Sequence, residues 1–184
     1  THKPTLIQLF KQAGYQTFGL YHSVFWDWVE RAYYGFDEYI SGPDLHYKGP
    51  ALGYWKIPDQ YAIAQYESQY ARKSGDPPRL TVFSTISTHF PFYQVPPYQA
   101  DWKRVLGEQP FDSEAAARAQ AEQVSWSNMR PDYFRTVNYC HQWLAGYFEQ
   151  IAPKDRVYVM LGDHQPTGSV TGPNTPWDVP VYVV

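Results

Sequence analysis

Arg79-Leu80-Thr81-Val82-Phe83-Ser84-Thr85-Ile86-Ser87 is a β-branched, apolar run and reads as a strand. On its upstream side, Asp59 is placed to cap a helix that carries Ile63, Tyr66 and Tyr70 and ends near Gly75. The Gly- and Pro-rich stretch 41–58 before that helix is loop. Farther upstream, Gln16–Tyr21 alternates as a short strand, and residues 26–34 form a helix closed by Gly35. Before them, Pro4 suits a first helical turn, Leu6, Ile7, Phe10 and Ala13 follow at helical spacing, and Gly14 ends the helix.

Downstream of the quoted run, residues 90–110 are irregular, with prolines at 91, 96, 97 and 110. Residues 113–123 are Ala-rich and read as a surface helix. Pro131 opens the strongest helical pattern, with Phe134, Val137, His141, Leu144, Phe148 and Ile151 as its apolar stripe. RVYVMLG at 156–162 is a third strand, apolar enough to be buried on both faces, and 179–184 is a fourth. Strands alternating with helices define an α/β fold, with a mostly parallel sheet covered by helices on both faces.

Length and composition set the bounds. The 184 residues suffice for one domain with a sizeable core. Fifteen basic residues against 18 acidic ones give a net charge of -3, which offers no basic stripe for nucleic acid. A hydrophobic share of 43% argues against disorder. The single cysteine, Cys140, excludes an internal disulfide framework and reads as a small core residue. No stretch approaches the roughly eighteen apolar residues of a membrane span. The 17 Tyr, 7 Trp and 10 Phe are expected to serve mainly as core and helix sheath.

Ligands in open α/β sheets collect at the carboxyl ends of the strands. Here the first three strands run into Tyr21-His22-Ser23, Thr88-His89-Phe90 and Gly162-Asp163-His164-Gln165. Each thus delivers one of only six histidines to a common edge. In Asp163 and His164, a carboxylate oxygen stands beside an imidazole nitrogen, a donor pair that suits Zn²⁺ or Mn²⁺. The competing reading is a turn-capping aspartate and a surface histidine. His141, on the apolar stripe, reads as a buried, hydrogen-bonded histidine. His2 and His46 show no evident partner.

The run VYVMLGDHQP resembles the metal-binding signature of sulfatase-like catalytic domains. TVFSTISTHFPF is similar to the strand and His-Phe-Pro-Phe turn of lipoteichoic-acid-synthase-type phosphoglycerol transferases, in the alkaline phosphatase superfamily. The opening TLIQLFKQAGYQTFGLYHSVFWDWVERAYYGFDEYI, the helix YFRTVNYCHQWLAGYFEQI and the terminal PWDVPVYVV resemble the same enzymes, in the same order. This resemblance implies a partial sulfatase-like α/β fold, and a metal-bound Ser, Thr or formylglycine nucleophile attacking a phosphoryl or sulfuryl centre. It implies Asp163 and His164 as ligands of a divalent metal ion (Mn, Zn, Mg or Ca). It also implies His89 on the transferred group, with Trp26 lining the substrate pocket and His22 as a further pocket residue. Two positions depart from the transferases: Trp28 stands where they carry a phosphate-gripping Arg, and His141 where their helix carries Asp.

On this resemblance, residues 1–184 are a single domain, the C-terminal part of a catalytic domain whose nucleophile lies upstream. None of Thr5, Thr17 and Ser23 has the context of a nucleophile turn, so the chain alone is expected to lack turnover. The expected substrate is a phosphate or sulfate ester of a lipid or glycan. The parent is expected to be extracytoplasmic and held to a membrane by segments outside this chain, and an exposed sheet edge is expected to favour self-association. The alternative is a non-catalytic module that binds a glycan or lipid head group through exposed aromatics.

Overall fold

The computed structural model describes residues 3–54 and 56–184. Helix α1 (Leu6–Gln12) begins at Thr5, not Pro4: Thr5 and Gln8 form a reciprocal capping box. Gly14 ends it at φ 85°, a backbone angle that favours glycine. Strand β1 (Gln16–Tyr21) follows where the alternation placed it. The helix expected over 26–34 shrinks to α2 (Arg31–Tyr34), closed by Gly35 in the left-handed conformation.

A strand that the sequence pattern did not suggest, β2 (Glu38–Ser41), pairs parallel with β1. Helix α3 spans Asp59–Gln69 and β3 spans Arg79–Phe83. The sheet is parallel, in the order β2-β1-β3. Its α/β architecture is therefore the expected one.

One face of this sheet carries the main core. Phe18, Leu20 and Ile40 pack there with Tyr66 of α3 and with Tyr139, Trp143 and Tyr147 of α6 (Arg130–Gln150). Burial of these rings removes large apolar areas from water and dominates the stability of the fold. The other face is covered chiefly by aromatic rings, where a long helix was expected. Tyr21 stacks on Tyr39 at 5.5 Å, and Trp28 packs within 5.1 Å of Tyr21 and 5.5 Å of Tyr34. Gly19 fits beneath this layer because a Cβ there would press on the Phe36 and Tyr21 rings at 3.0 Å. Thr17 donates from its amide and hydroxyl to Asp37, which also meets Lys11 of α1 at 2.7 Å.

Two short helices, α4 (Trp102–Val105) and α5 (Ser113–Gln120), punctuate the segment before α6. Helix α6 is the long helix predicted, but its buried residues are Thr136, Tyr139, Trp143, Gly146 and Tyr147. The stripe is thus rotated from the expected one, and Phe134 and His141 are exposed. Tyr and Trp bury more area than the aliphatic residues of the expected stripe, and they take the core face.

The largest correction concerns the last strands. Strands β4 (Val159–Leu161) and β5 (Val181–Val183), with the short α7 (Gly168–Thr171) between them, pair antiparallel as a separate ribbon. They are not parallel members of the main sheet. Neither is buried on both faces: Leu161 is 65% and Val183 70% exposed. Among the described residues each finds its ladder partner only in the other, and a chain reversal between them suits antiparallel pairing.

Candidate active site

The carboxyl ends of β1 and β3 meet at the first turn of α3. Asp59 was expected to cap that helix, but Pro58 is the cap and Asp59 is the first helical residue, fully buried. Its Oδ1 accepts the Ile86 amide at 2.9 Å and its Oδ2 accepts the Ser87 amide at 3.0 Å. His22, immediately after β1, is also fully buried, with Nε2 2.9 Å from Asp59 Oδ1. That approach is short but poorly aligned, so neither ring nitrogen makes a well-formed hydrogen bond. Burial pushes the Asp59 carboxyl up. His22 and hydrogen bonding from Ser87 and Ile86 outweigh it and hold the carboxyl below the usual range.

His22 was expected in the substrate pocket. The structure turns it inward, beside the Phe83 ring at 5.5 Å, because the buried carboxylate needs a polar neighbour there.

His89 does lie at the surface, in the turn after β3. Its amide donates to the Ile86 carbonyl at 3.0 Å, and its Nδ1 lies against the Phe90 carbonyl oxygen. A carbonyl can only accept, so Nδ1 carries the proton in that contact. Trp26, 57% exposed, sits in the loop after β1. Trp28 is part of the aromatic layer under β1 and β2.

Asp163 and His164 follow β4 and are both exposed. The His164 amide donates to Asp163 Oδ1 at 2.9 Å. His164 Nδ1 lies 2.7 Å from the Gln165 carbonyl oxygen, which places a proton on Nδ1 and, in the neutral ring, the lone pair on Nε2. That Nε2 is 3.6 Å from Asp163 Oδ2. Anchoring one ring nitrogen on a carbonyl is how ligating histidines are usually oriented, so the pair fits a divalent cation in donor chemistry and in tautomer. Among the described residues no group of three or more His, Cys, Asp and Glu side chains converges to complete such a site.

The remaining candidates lie elsewhere. Exposed His141 is not the buried histidine expected, because the rotation of α6 carries it to solvent. His46 is exposed at the end of a 3₁₀ turn, and His2 lies outside the described residues. Cys140 packs against the core, and burial and the Asp59 charge push its thiol up to about 12, which disqualifies it as a nucleophile. Thr5 and Thr17 are occupied as cap and Asp37 partner. An open cleft of about 650 Å³ lies at the opposite end of the sheet, lined by Glu67, Arg72, Lys73, Asp155 and Arg156. There Arg156 meets Glu67 at 2.7 Å and Arg72 meets Asp155 at 3.4 Å, so its charges largely satisfy one another.

The α/β fold is similar to that of a solved protein in the alkaline phosphatase superfamily. A solved structure of a protein in that superfamily from Vibrio parahaemolyticus superposes with a TM-score of 0.56 at 19% identity, covering 98% of this chain and 40% of that one. The profile of the sulfatase family matches residues 1–177, and the chain belongs to that family. It spans 40% of the length of the solved relative. No curated protein matches the sequence.

Proposed function

We propose that this chain forms part of a metal-dependent hydrolase or transferase acting on sulfate or phosphate esters. In it, Asp163 and His164 are metal ligands, His89 faces the transferred group and Trp26 lines the pocket. The observation that carries the reading is the His164 ring, whose Nδ1–H is committed to the Gln165 carbonyl, so that the neutral ring presents its Nε2 lone pair beside the Asp163 carboxylate. Family membership supplies the reaction class. The metal, when bound, polarises the sulfuryl or phosphoryl oxygen and lowers the pKa of an attacking hydroxyl. His89, held at Nδ1 by the Phe90 carbonyl, faces the departing oxygen and, when protonated, donates to it.

The nucleophile belongs, on this reading, to a part of the domain outside the chain. The phosphoglycerol-transferase assignment and an extracytoplasmic, membrane-anchored parent are part of the same proposal. Among the described residues no helix is long and apolar enough to cross a membrane. The test is thermal unfolding and calorimetric titration with Mn²⁺ and Zn²⁺. A rise in Tm that Asp163→Ala and His164→Ala each remove supports the ligand assignment, and metal binding unchanged in both variants overturns it. Comparing p-nitrophenyl sulfate with bis-p-nitrophenyl phosphate on the enzyme that contains this chain then separates sulfatase from phosphoryl transferase.

A glycan- or head-group-binding module is the second reading, favoured by exposed Trp26, Tyr54 and Trp126. Oligosaccharide binding that quenches tryptophan fluorescence and ignores metal would select it.

A further inference from the structure

The first turn of α3 holds two consecutive polar side chains, Asp59 and Gln60, both with no solvent exposure. Burying a carboxylate and an amide side by side is costly unless each is bound to several partners. Both are spent on the irregular chain that carries His89. Asp59 takes the amides of Ile86 and Ser87. Gln60 takes the Gln99 amide at 3.0 Å and donates to the Gln99 carbonyl at 2.7 Å. The segment between these two anchors has no regular structure of its own, and its first turn runs directly from Ile86 to the His89 amide.

We propose that Asp59 is a positioning residue for the substrate edge. Its buried carboxylate bolts the His89 turn to the first turn of α3, beside His22 at the end of β1, and Gln60 pins the far end of the same segment. The side chains of both anchors lie beneath the surface and touch no substrate; they act by fixing where the His89 ring sits. This rests on the reading of His89 as the substrate-facing histidine, but the bolt itself is measured without any substrate. A neutral Asn at position 59 keeps the shape of Asp and offers one acceptor oxygen where two amides and an imidazole converge, so one amide at least loses its partner.

The experiment is amide hydrogen exchange and histidine-ring NMR on the whole chain, wild type against Asp59→Asn and Gln60→Ala. In the wild type, Ile86 and Ser87 amides are expected to exchange as slowly as sheet amides such as Leu20, although they lie outside any strand. In Asp59→Asn they should exchange roughly ten- to hundredfold faster, and the His89 ring signals should broaden or split while the Leu20 and Ile40 amides stay protected. Gln60→Ala should loosen Gln99 and leave Ile86 protected.

Unprotected Ile86 and Ser87 amides in the wild type would overturn the proposal even if the Asn variant does not fold. So would an Asp59→Asn protein whose His89 ring signals match the wild type. Inorganic phosphate titrated against the wild type separates the two readings. If the His89 ring does not respond but the amides loosen as expected, the substrate-facing role fails and the bolt stands.

Discussion

Two turns in this molecule present a histidine in the same local manner and are held in opposite ways. At the end of β3, His89 ties Nδ1 to the carbonyl of the next residue. After β4, His164 does the same. The first turn is anchored from below by fully buried Asp59 and Gln60, and stands on a sheet packed against α3 and α6. The second follows an exposed two-stranded ribbon, and its Asp163 and His164 side chains find their polar partners within residues 163–165. One turn is ordered by the fold. The other has donors in place and little beneath them, so its order is expected to come from what it binds.

Core substitution should separate the two regions most widely. Trp143, buried against Phe83 and the main core, should cost about 3–5 kcal/mol on truncation to Ala. Leu161→Ala in the ribbon should stay within about 0.5 kcal/mol. Urea unfolding of both variants measures the contrast, and similar losses would break it.

Asp59→Asn comes next, at about 2–3 kcal/mol, because charge-assisted hydrogen bonds to a buried carboxylate are lost. The sign of its pH dependence follows from the lowered carboxyl. A lowered folded pKa contributes stability that is complete above the unfolded value, about 3.9, and is lost as pH falls through the folded value. The groups facing Asp59 are His22, Tyr139 and Cys140. Burial and the Asp59 charge raise the Tyr139 hydroxyl well above its usual range and the Cys140 thiol to about 12, so neither titrates near pH 4. The gap between wild type and Asn variant should therefore narrow as pH falls through the lowered Asp59 value, which unfolding curves from pH 7 down to about 3 would show.

Gly146→Ala should cost about 1–2 kcal/mol, although alanine is the better helix former by about 1 kcal/mol. A Cβ at that site runs into the Tyr98 hydroxyl and the Trp102 indole nitrogen. Trp102 is buried and has little room to withdraw. A stabilised variant, read by the same unfolding curves, would mean that the contact between α4 and α6 yields more readily than its packing implies.

These sites also mark what the sequence could and could not disclose. Strand β1 and helix α3 were legible from local patterns, since alternation and apolar spacing report burial directly. The face of α6 was misjudged because the stripe from Phe134 through Leu144 and Phe148 to Ile151 looked the more apolar, whereas the buried face carries Tyr139, Trp143 and Tyr147. Strand β2, four residues long with one buried side chain, carries too little pattern to stand out. The contact of His22 with Asp59 joins residues far apart in sequence. Its nearest local signal was an acidic residue just after Pro58, which reads as an ordinary helix start. Asp163 and His164 were visible as a pair, because adjacency needs no tertiary information. The ribbon's detachment from the main sheet was not, because an apolar run such as VYVMLG reads the same whether its neighbour lies in one sheet or another.

The smallest effect on the unliganded protein, and the sharpest test of the comparison, falls at that pair. Asp163→Ala and His164→Ala remove exposed side chains whose polar contacts are local, so without metal each should shift stability by less than about 0.5 kcal/mol. With Mn²⁺ or Zn²⁺ at a hundredfold excess over Kd, wild type should gain about 2.7 kcal/mol and both variants nothing. Because ligating imidazole and carboxylate groups must be deprotonated, the gain should fade as pH falls. A large loss in the metal-free variants would mean that this turn is held by the fold as the His89 turn is, and the contrast between the two histidines would disappear.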